Sequence, residues 1–382
     1  MRWDTAWHED GLSFAILPLM FATCKLIAVA HSYADGAAGD AKSRLSDWQL
    51  AHALEEPPSL LAYLGHVLGC SNLLAGPLYE MRDYLDWAHR RQADALQGDH
   101  TQQLGHWAQE PPVPWRAVAA RLLQSCLCFY LCWLLADRYQ PDKIWKKDGA
   151  YQQLPFLARL AFLHASCVVF RLQLYVHWGL AEAGALLSGL GYSGPDGRGG
   201  HSWERARCVR MAEVELGPSL AATAMHWNIP VAGFLRRCVY DRLLHSSGPA
   251  KLAALAAAFL ASALWHGLQI GFLLAFTGTG LGVLASRALF KWQQSSSPGA
   301  TAQLGWQAAQ LCYKWLVVDT MLLPPFQALK WDKISRVQPS MYAAGYGATL
   351  LILLASWACF PARKRGPEKP AAQGKGDSTQ TV

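Results

Sequence analysis

The ten cysteines of this 382-residue chain form no paired CxxC motif and lie at no histidine-ligand spacing, so they outline neither a disulfide framework nor a zinc site. Cys126, Cys128 and Cys132 fall within one apolar stretch and read as small buried residues. No basic stripe interleaved with aromatics is present, and the net charge of +7 therefore does not describe a nucleic-acid surface. The first apolar segment carries Lys25 in its interior and lacks a small-residue cleavage site, which excludes a secretory signal peptide there. An internal repeat of the kind found in transporters is also missing, since the Trp-His-Gly and Trp-Asn-Ile elements each occur once.

What the chain has instead is apolar length. Crossing a bilayer takes roughly 20 residues of helix, and stretches of that order occupy 12–30, 115–136, 252–276, 306–323 and 342–360. The run 154–190, interrupted by Arg159, Arg171, Glu182 and a few His and Gln residues, is long enough for two more, and 60–79 is a weaker candidate broken by Asn72, glycines and Pro77. The pattern predicts an all-α, polytopic transmembrane bundle of about seven or eight helices. Polar loops at 80–114 and 137–153 dilute the average hydropathy. Residues 1–360 are expected to form this membrane domain. Residues 361–382, rich in Pro, Gly, Lys and Gln, read as a disordered tail. Arg363, Lys364 and Arg365 follow directly on the last apolar segment, and the positive-inside rule places the C-terminus in the cytoplasm. Several of the 17 tryptophans, such as Trp87, Trp115 and Trp133, sit near segment ends, where indole rings favour the bilayer interface.

Two polar residues stand out against this background. His266 lies inside the apolar run 252–276, and Asn228 ends another apolar segment 38 residues upstream. An ionisable ring at membrane depth costs free energy unless it faces a partner or a polar cavity, which makes it a functional candidate. Neutral imidazole can accept a proton and return it. A carboxamide can donate to a developing oxyanion. The alternative is structural: His266 bonding to a neighbouring helix and Asn228 capping one.

The blocks Ala263-Leu264-Trp265-His266-Gly267, Trp227-Asn228-Ile229 and Phe234-Leu235-Arg236-Arg237-Cys238-Val239-Tyr240-Asp241-Arg242 resemble the signature of the membrane-bound O-acyltransferases, in particular the lysophospholipid acyltransferases of plant and algal type. Ala75 to Trp87, Ser188 to Gly194 and Val214-Glu215-Leu216 extend the likeness, which covers about residues 20–355. The resemblance implies a bundle with an internal substrate tunnel that transfers a fatty acyl group from acyl-CoA to the free hydroxyl of a lysophospholipid, such as lysophosphatidylcholine or lysophosphatidylethanolamine. By position His266 matches the family's catalytic histidine and Asn228 its companion asparagine, with acyl-CoA as substrate and no bound cofactor or metal. The endoplasmic reticulum is the implied location. Family members carry further hydrophobic segments ahead of the one corresponding to 12–30, so the resemblance also implies a chain that is short at its N-terminus.

Other residues are candidates for substrate binding. Trp227 and Trp265 flank the catalytic pair. Arg236, Arg237 and Arg242 cluster after Asn228, where a cytosolic mouth could hold CoA phosphates or where positive-inside anchoring would suffice. Glu80, Arg82 and Asp83 could meet a lysolipid headgroup or form a solvated helix end. Arg171, Tyr175, Trp178 and Glu182 share helical spacing and form one polar-aromatic stripe, suited to lining a tunnel or to bonding between helices. His226 points away from Asn228 and reads as structural. His89-x4-Asp94 has the spacing of a soluble-type acyltransferase motif but lies in a polar stretch without a second glycine-rich block. An acceptor other than lysophospholipid (diacylglycerol, a sterol or a protein) and a non-enzymatic transporter remain the competing readings.

Overall fold

In a computed structural model of the chain, the structure describes residues 13–69, 76–95, 111–146, 149–245, 251–296, 299–341 and 343–359. The tail 361–382 and the basic cluster within it lie outside these residues, as does Asn72. Among the described residues the fold is helical apart from one two-stranded hairpin, Gly194–Pro195 paired with His201–Ser202. Four segments are long and apolar enough to cross a membrane: Leu17–Gly36, Trp115–Ala136, Phe156–Leu187 and Ile270–Ser295. Shorter apolar helices, Lys251–His266 and Ala344–Cys359, pack beside them.

The distribution of side chains inverts that of a soluble helix bundle. On the Trp115–Ala136 helix, Val118, Ser125, Cys128 and Cys132 face inward, whereas Leu123 is 71% and Leu127 57% exposed. Large apolar groups outside and small or weakly polar groups inside are what a lipid solvent selects, because lipid gives no incentive to hide leucine and small residues let helices approach. The closest approach of this helix to Phe156–Leu187 shows the principle at one point. A Cβ on Gly179 would collide with the Ser125 hydroxyl, which is folded back onto its own helix by donating to the Arg121 carbonyl at 2.9 Å.

Three segment expectations need correction. The run 154–190 is not two helices but one of 32 residues, Phe156–Leu187. It contains no proline and no glycine before Gly179, so nothing breaks it, and its length of about 48 Å exceeds the hydrocarbon core. The run 252–276 is not one helix but two. Lys251–His266 stops, Gly267 takes φ +138°, Gln269 is extended, and Ile270–Ser295 begins. Only glycine adopts that backbone without strain. Among the described residues of 60–79 there is a 9-residue helix, Leu60–Leu68, too short to span. Within the polar loop 80–114 the structure forms another helix, Met81–Ala95.

The main core gathers Leu163 and Cys167 of Phe156–Leu187, Val283 and Leu289 of Ile270–Ser295, and Val317 and Met321. Around 318 the backbone widens: Ala300–Val317 passes through a π-helical turn, Val318–Leu322, into Leu323–Ala328, whose first turn holds Pro324 and Pro325. Proline tolerates the start of a helix because its missing N–H would have no intrahelical partner there. That turn carries Phe326 inward.

Candidate active site

His266 is the last residue of its helix. Its ring stacks on Phe276, with centroids 4.8 Å apart and planes at 18°, and meets Phe326 edge-on at 5.1 Å. Phe272 at 5.4 Å and Trp265 at 4.8 Å complete an aromatic enclosure. Nδ1 is buried within it and has no hydrogen-bond partner among the described residues. The ring is therefore held by packing, not by a carboxylate. Its neighbour anchors the helix end: the Trp265 indole N–H donates to the Met20 carbonyl at 2.9 Å, and the indole meets Phe21 edge-on.

Asn228 has φ 43° and ψ 57°, the left-handed region, between Trp227 and the helix Ile229–Leu235. Asparagine enters this region more readily than most residues, yet such a conformation costs of order 1 kcal/mol or more and persists only where the surroundings impose it. Its carbonyl accepts the Ala232 N–H at 2.9 Å, while its side chain makes no capping bond. Trp227 is clamped edge-on by Trp178 at 5.0 Å and by Tyr175 at 6.0 Å.

Aromatic contacts link the surroundings of both residues to the same helix. From His266 the aromatic contacts run through Phe326 to Phe170, and from Asn228 through Trp227 to Tyr175 and Trp178. Phe170 and Tyr175 are about 7.5 Å apart along the Phe156–Leu187 axis, near its middle. The helix Ile229–Leu235 also packs against Lys251–His266.

The remaining candidates are placed differently from one another. Arg171 forks onto Glu215, with Nε at 2.9 Å and Nη2 at 3.1 Å, and the Tyr175 hydroxyl donates to the same carboxylate at 2.6 Å. Glu182 binds Arg121 and two backbone N–H groups. The stripe on Phe156–Leu187 is thus engaged by protein partners that tie the segment 206–217 to the helix. Arg237 binds Glu80 at 2.8 Å and lies 4.1 Å over the Trp48 ring, and Arg242 forks onto Asp35. Glu80 is accordingly an ion-pair partner within the protein. Only Arg236 of the three arginines is widely exposed, its side chain at 71% and 3.8 Å from Asp241. Asp83 contacts Arg205 at 3.0 Å and His52 at 3.6 Å, and Arg82 contacts Asp86 at 3.4 Å. His226 lies 3.3 Å from the Ala222 carbonyl through Nδ1. His89 is exposed on Met81–Ala95, and the Asp94 side chain lies outside the described residues.

Sequence reasoning missed two buried charges. Lys314 is fully buried and donates to the carbonyls of Val214, Glu215 and Gly217, while its Nζ sits 4.3 Å from the Trp315 ring that Arg171 also faces at 4.4 Å. Asp319, in the π-helical turn, accepts from His164 Nδ1 at 2.6 Å. The signal that could have found them is the presence of two ionisable residues inside the apolar run 306–323.

Helices long and apolar enough to span, with leucines facing outward, define a polytopic membrane protein. A family model described as MBOAT, membrane-bound O-acyltransferase family, matches residues 5–323, and the chain belongs to that family. It is 32% identical over 299 residues to lysophospholipid acyltransferase 1 of Arabidopsis thaliana, covering 77% of this chain and 61% of that protein. Lysophospholipid acyltransferase 2 of the same plant is 31% identical, with 77% and 60% covered. The human membrane-bound glycerophospholipid O-acyltransferase 2 is 28% identical over 277 residues, with 71% and 51% covered. The chain thus spans about three-fifths of the length of the Arabidopsis relatives.

Proposed function

We propose that this chain transfers a fatty acyl group from acyl-CoA to the free hydroxyl of a lysophospholipid such as lysophosphatidylcholine or lysophosphatidylethanolamine, in the membrane of the endoplasmic reticulum. The observation that supports the reading is that aromatic contacts tie His266, through Phe326, and the Trp227 next to Asn228 to the middle of one spanning helix, with no hydrogen bond to His266 Nδ1 and no capping bond from the Asn228 side chain among the described residues.

A thioester is already activated, so the site must supply a base and a stabiliser for the tetrahedral oxyanion. His266 removes the acceptor hydroxyl proton as that oxygen attacks the thioester carbonyl. With Nδ1 enclosed, Nε2 is the nitrogen that takes it. The carboxamide N–H of Asn228 donates to the oxyanion. Collapse breaks the carbon–sulfur bond, and the CoA thiolate leaves with the proton from the imidazolium. The aromatic box around His266 keeps water, the competing acceptor, away from the thioester. CoA phosphates meet the protein at the exposed Arg236, while Arg237 and Arg242 hold that segment to Glu80 and Asp35. A polar tunnel leading to His266 and a cytoplasmic C-terminus complete the proposal.

The test incubates membranes containing the protein with labelled acyl-CoA and a panel of lysophospholipids, diacylglycerol and a sterol, with mass spectrometry of the products. Labelled diacyl phospholipid that disappears in His266→Ala, at unchanged protein abundance, is expected. Product formation that survives the substitution rules out His266 as the base, and product from another acceptor alone replaces the lysophospholipid assignment.

A further inference from the structure

We propose that Glu182 is a positioning residue for Asn228, acting through the backbone of residues 208–210; the proposal rests on the acyl-transfer reading above. The Glu182 side chain is only 4% exposed, and one of its oxygens accepts two consecutive backbone N–H groups, Cys208 at 2.8 Å and Val209 at 3.2 Å. The other oxygen takes the Arg121 guanidinium at 2.9 Å, and Arg121 in turn donates to Gln124 at 2.9 Å. The peptide held by Glu182 is the one that holds the asparagine segment. The Cys208 carbonyl accepts the Ile229 N–H at 2.8 Å, and the Arg210 N–H donates to the His226 carbonyl at 3.1 Å. These two bonds bracket Asn228 from both sides.

Between them, Trp227 is clamped against Trp178 and Tyr175, which lie on the same helix as Glu182. A left-handed backbone at Asn228 persists only where its neighbours are fixed. The spanning helix fixes them twice, directly through the tryptophan and indirectly through the carboxylate and the 208–210 strand of chain. Glu182 touches no reacting atom in this arrangement. It sets the direction of the Asn228 amide, so its loss acts on turnover and not on substrate affinity, because a misdirected oxyanion donor weakens the transition state alone.

Two conservative variants separate the acceptor from the charge. Glu182→Gln keeps an oxygen able to accept both N–H groups and removes the charge facing Arg121. Glu182→Asp keeps the charge and withdraws the oxygen by one carbon, about 1.5 Å. Acyl transfer by membranes containing each variant is measured as kcat and KM, alongside hydrogen exchange of the 225–231 backbone in the purified full chain. The expected result is a kcat about 10- to 100-fold lower for Glu182→Asp with KM for both substrates unchanged, faster exchange at 225–231, and near-normal values for Glu182→Gln. In an Asn228→Ala background, Glu182→Asp is expected to cost no further turnover.

The reverse order, with Gln impaired and Asp normal, overturns the proposal in favour of the Arg121 ion pair. An additive loss in the Asn228→Ala background, or unchanged exchange in Glu182→Asp, overturns it as well. If Glu182→Asp does not accumulate, Glu182→Gln decides: normal turnover and exchange support the proposal, and loss of either sinks it. A wild-type chain with no acyl transfer defeats the acyl-transfer reading, while the exchange comparison still decides whether Glu182 holds the segment.

Discussion

The indole of Trp265 reaches across to the Ser13–Gly36 helix and donates its N–H to the carbonyl of Met20 at 2.9 Å. A helix carbonyl already occupied by its own ladder accepts a second bond because its oxygen has two lone pairs. The contact joins residues 245 positions apart and fixes the end of the helix that terminates in His266. We propose that through this bond Trp265 supports the site, beside the substrate binding that its sequence position suggested.

Replacing Trp265 by Phe keeps most of the aromatic contact with Phe21 and removes the bond to Met20. A net loss of about 1 kcal/mol in stability is expected, together with a reduced kcat at unchanged KM, measured by thermal unfolding in detergent and by steady-state acyl transfer. A raised KM with full kcat would return Trp265 to the substrate.

Asn228 combines an amide with a left-handed backbone, and two substitutions divide these properties. Asn228→Gly keeps the conformation and loses the amide, so kcat should fall by about two to three orders of magnitude with little change in stability. Asn228→Ala loses both, and its unfolding temperature should lie below that of the glycine variant. Equal stability of the two variants would show that φ 43° is not maintained in solution.

Gly179 faces the Ser125 hydroxyl where two spanning helices come together. Gly179→Leu forces them apart, and overpacking of this kind typically costs about 1–3 kcal/mol. Reduced abundance in membranes and a lower unfolding temperature are expected, and pairing with Ser125→Gly should recover part of the loss. No recovery would place the collision elsewhere.

The pair His52 and Asp83 predicts a pH dependence outside the membrane-spanning helices. Burial lowers the His52 pKa, but the nearby Asp83 carboxylate and the Trp48 carbonyl, 2.8 Å from Nδ1, more than offset it, leaving the ring above its ordinary value. Burial raises Asp83, and His52 with Arg205 outweighs that effect and holds the carboxyl below its ordinary value. The His52 contribution is therefore complete below the ordinary histidine value near 6.5 and lost as pH rises through the raised folded value. The Asp83 contribution is complete above the ordinary aspartate value near 3.9 and lost as pH falls through the depressed one. Between pH 6 and 8 the wild-type unfolding temperature should fall relative to that of His52→Gln. Parallel curves would show that the pair does not titrate in this way.

Apolar length and composition by themselves determined that this chain is a helical membrane protein, because several runs of about 20 predominantly apolar residues match what a helix needs to cross the hydrocarbon core. Local motifs were as legible: Trp265-His266-Gly267 and Trp227-Asn228-Ile229 pointed to the family that the match over 5–323 establishes. Where those segments begin and end was not legible. The break at Gly267 depends on a positive φ, and the unbroken Phe156–Leu187 helix on the absence of proline and of glycine before Gly179, neither of which hydropathy records. Partnership was also hidden. Arg171 with Glu215, Arg237 with Glu80, Arg242 with Asp35 and Glu182 with Cys208 and Val209 are separated by 26 to 207 residues. A sequence shows that a charge lies at membrane depth, but only the tertiary structure decides what neutralises it. Whether a charge is free to meet substrate or is engaged in holding the fold depends on that partner, because an ion removed from water is stable only beside the group that replaces the water.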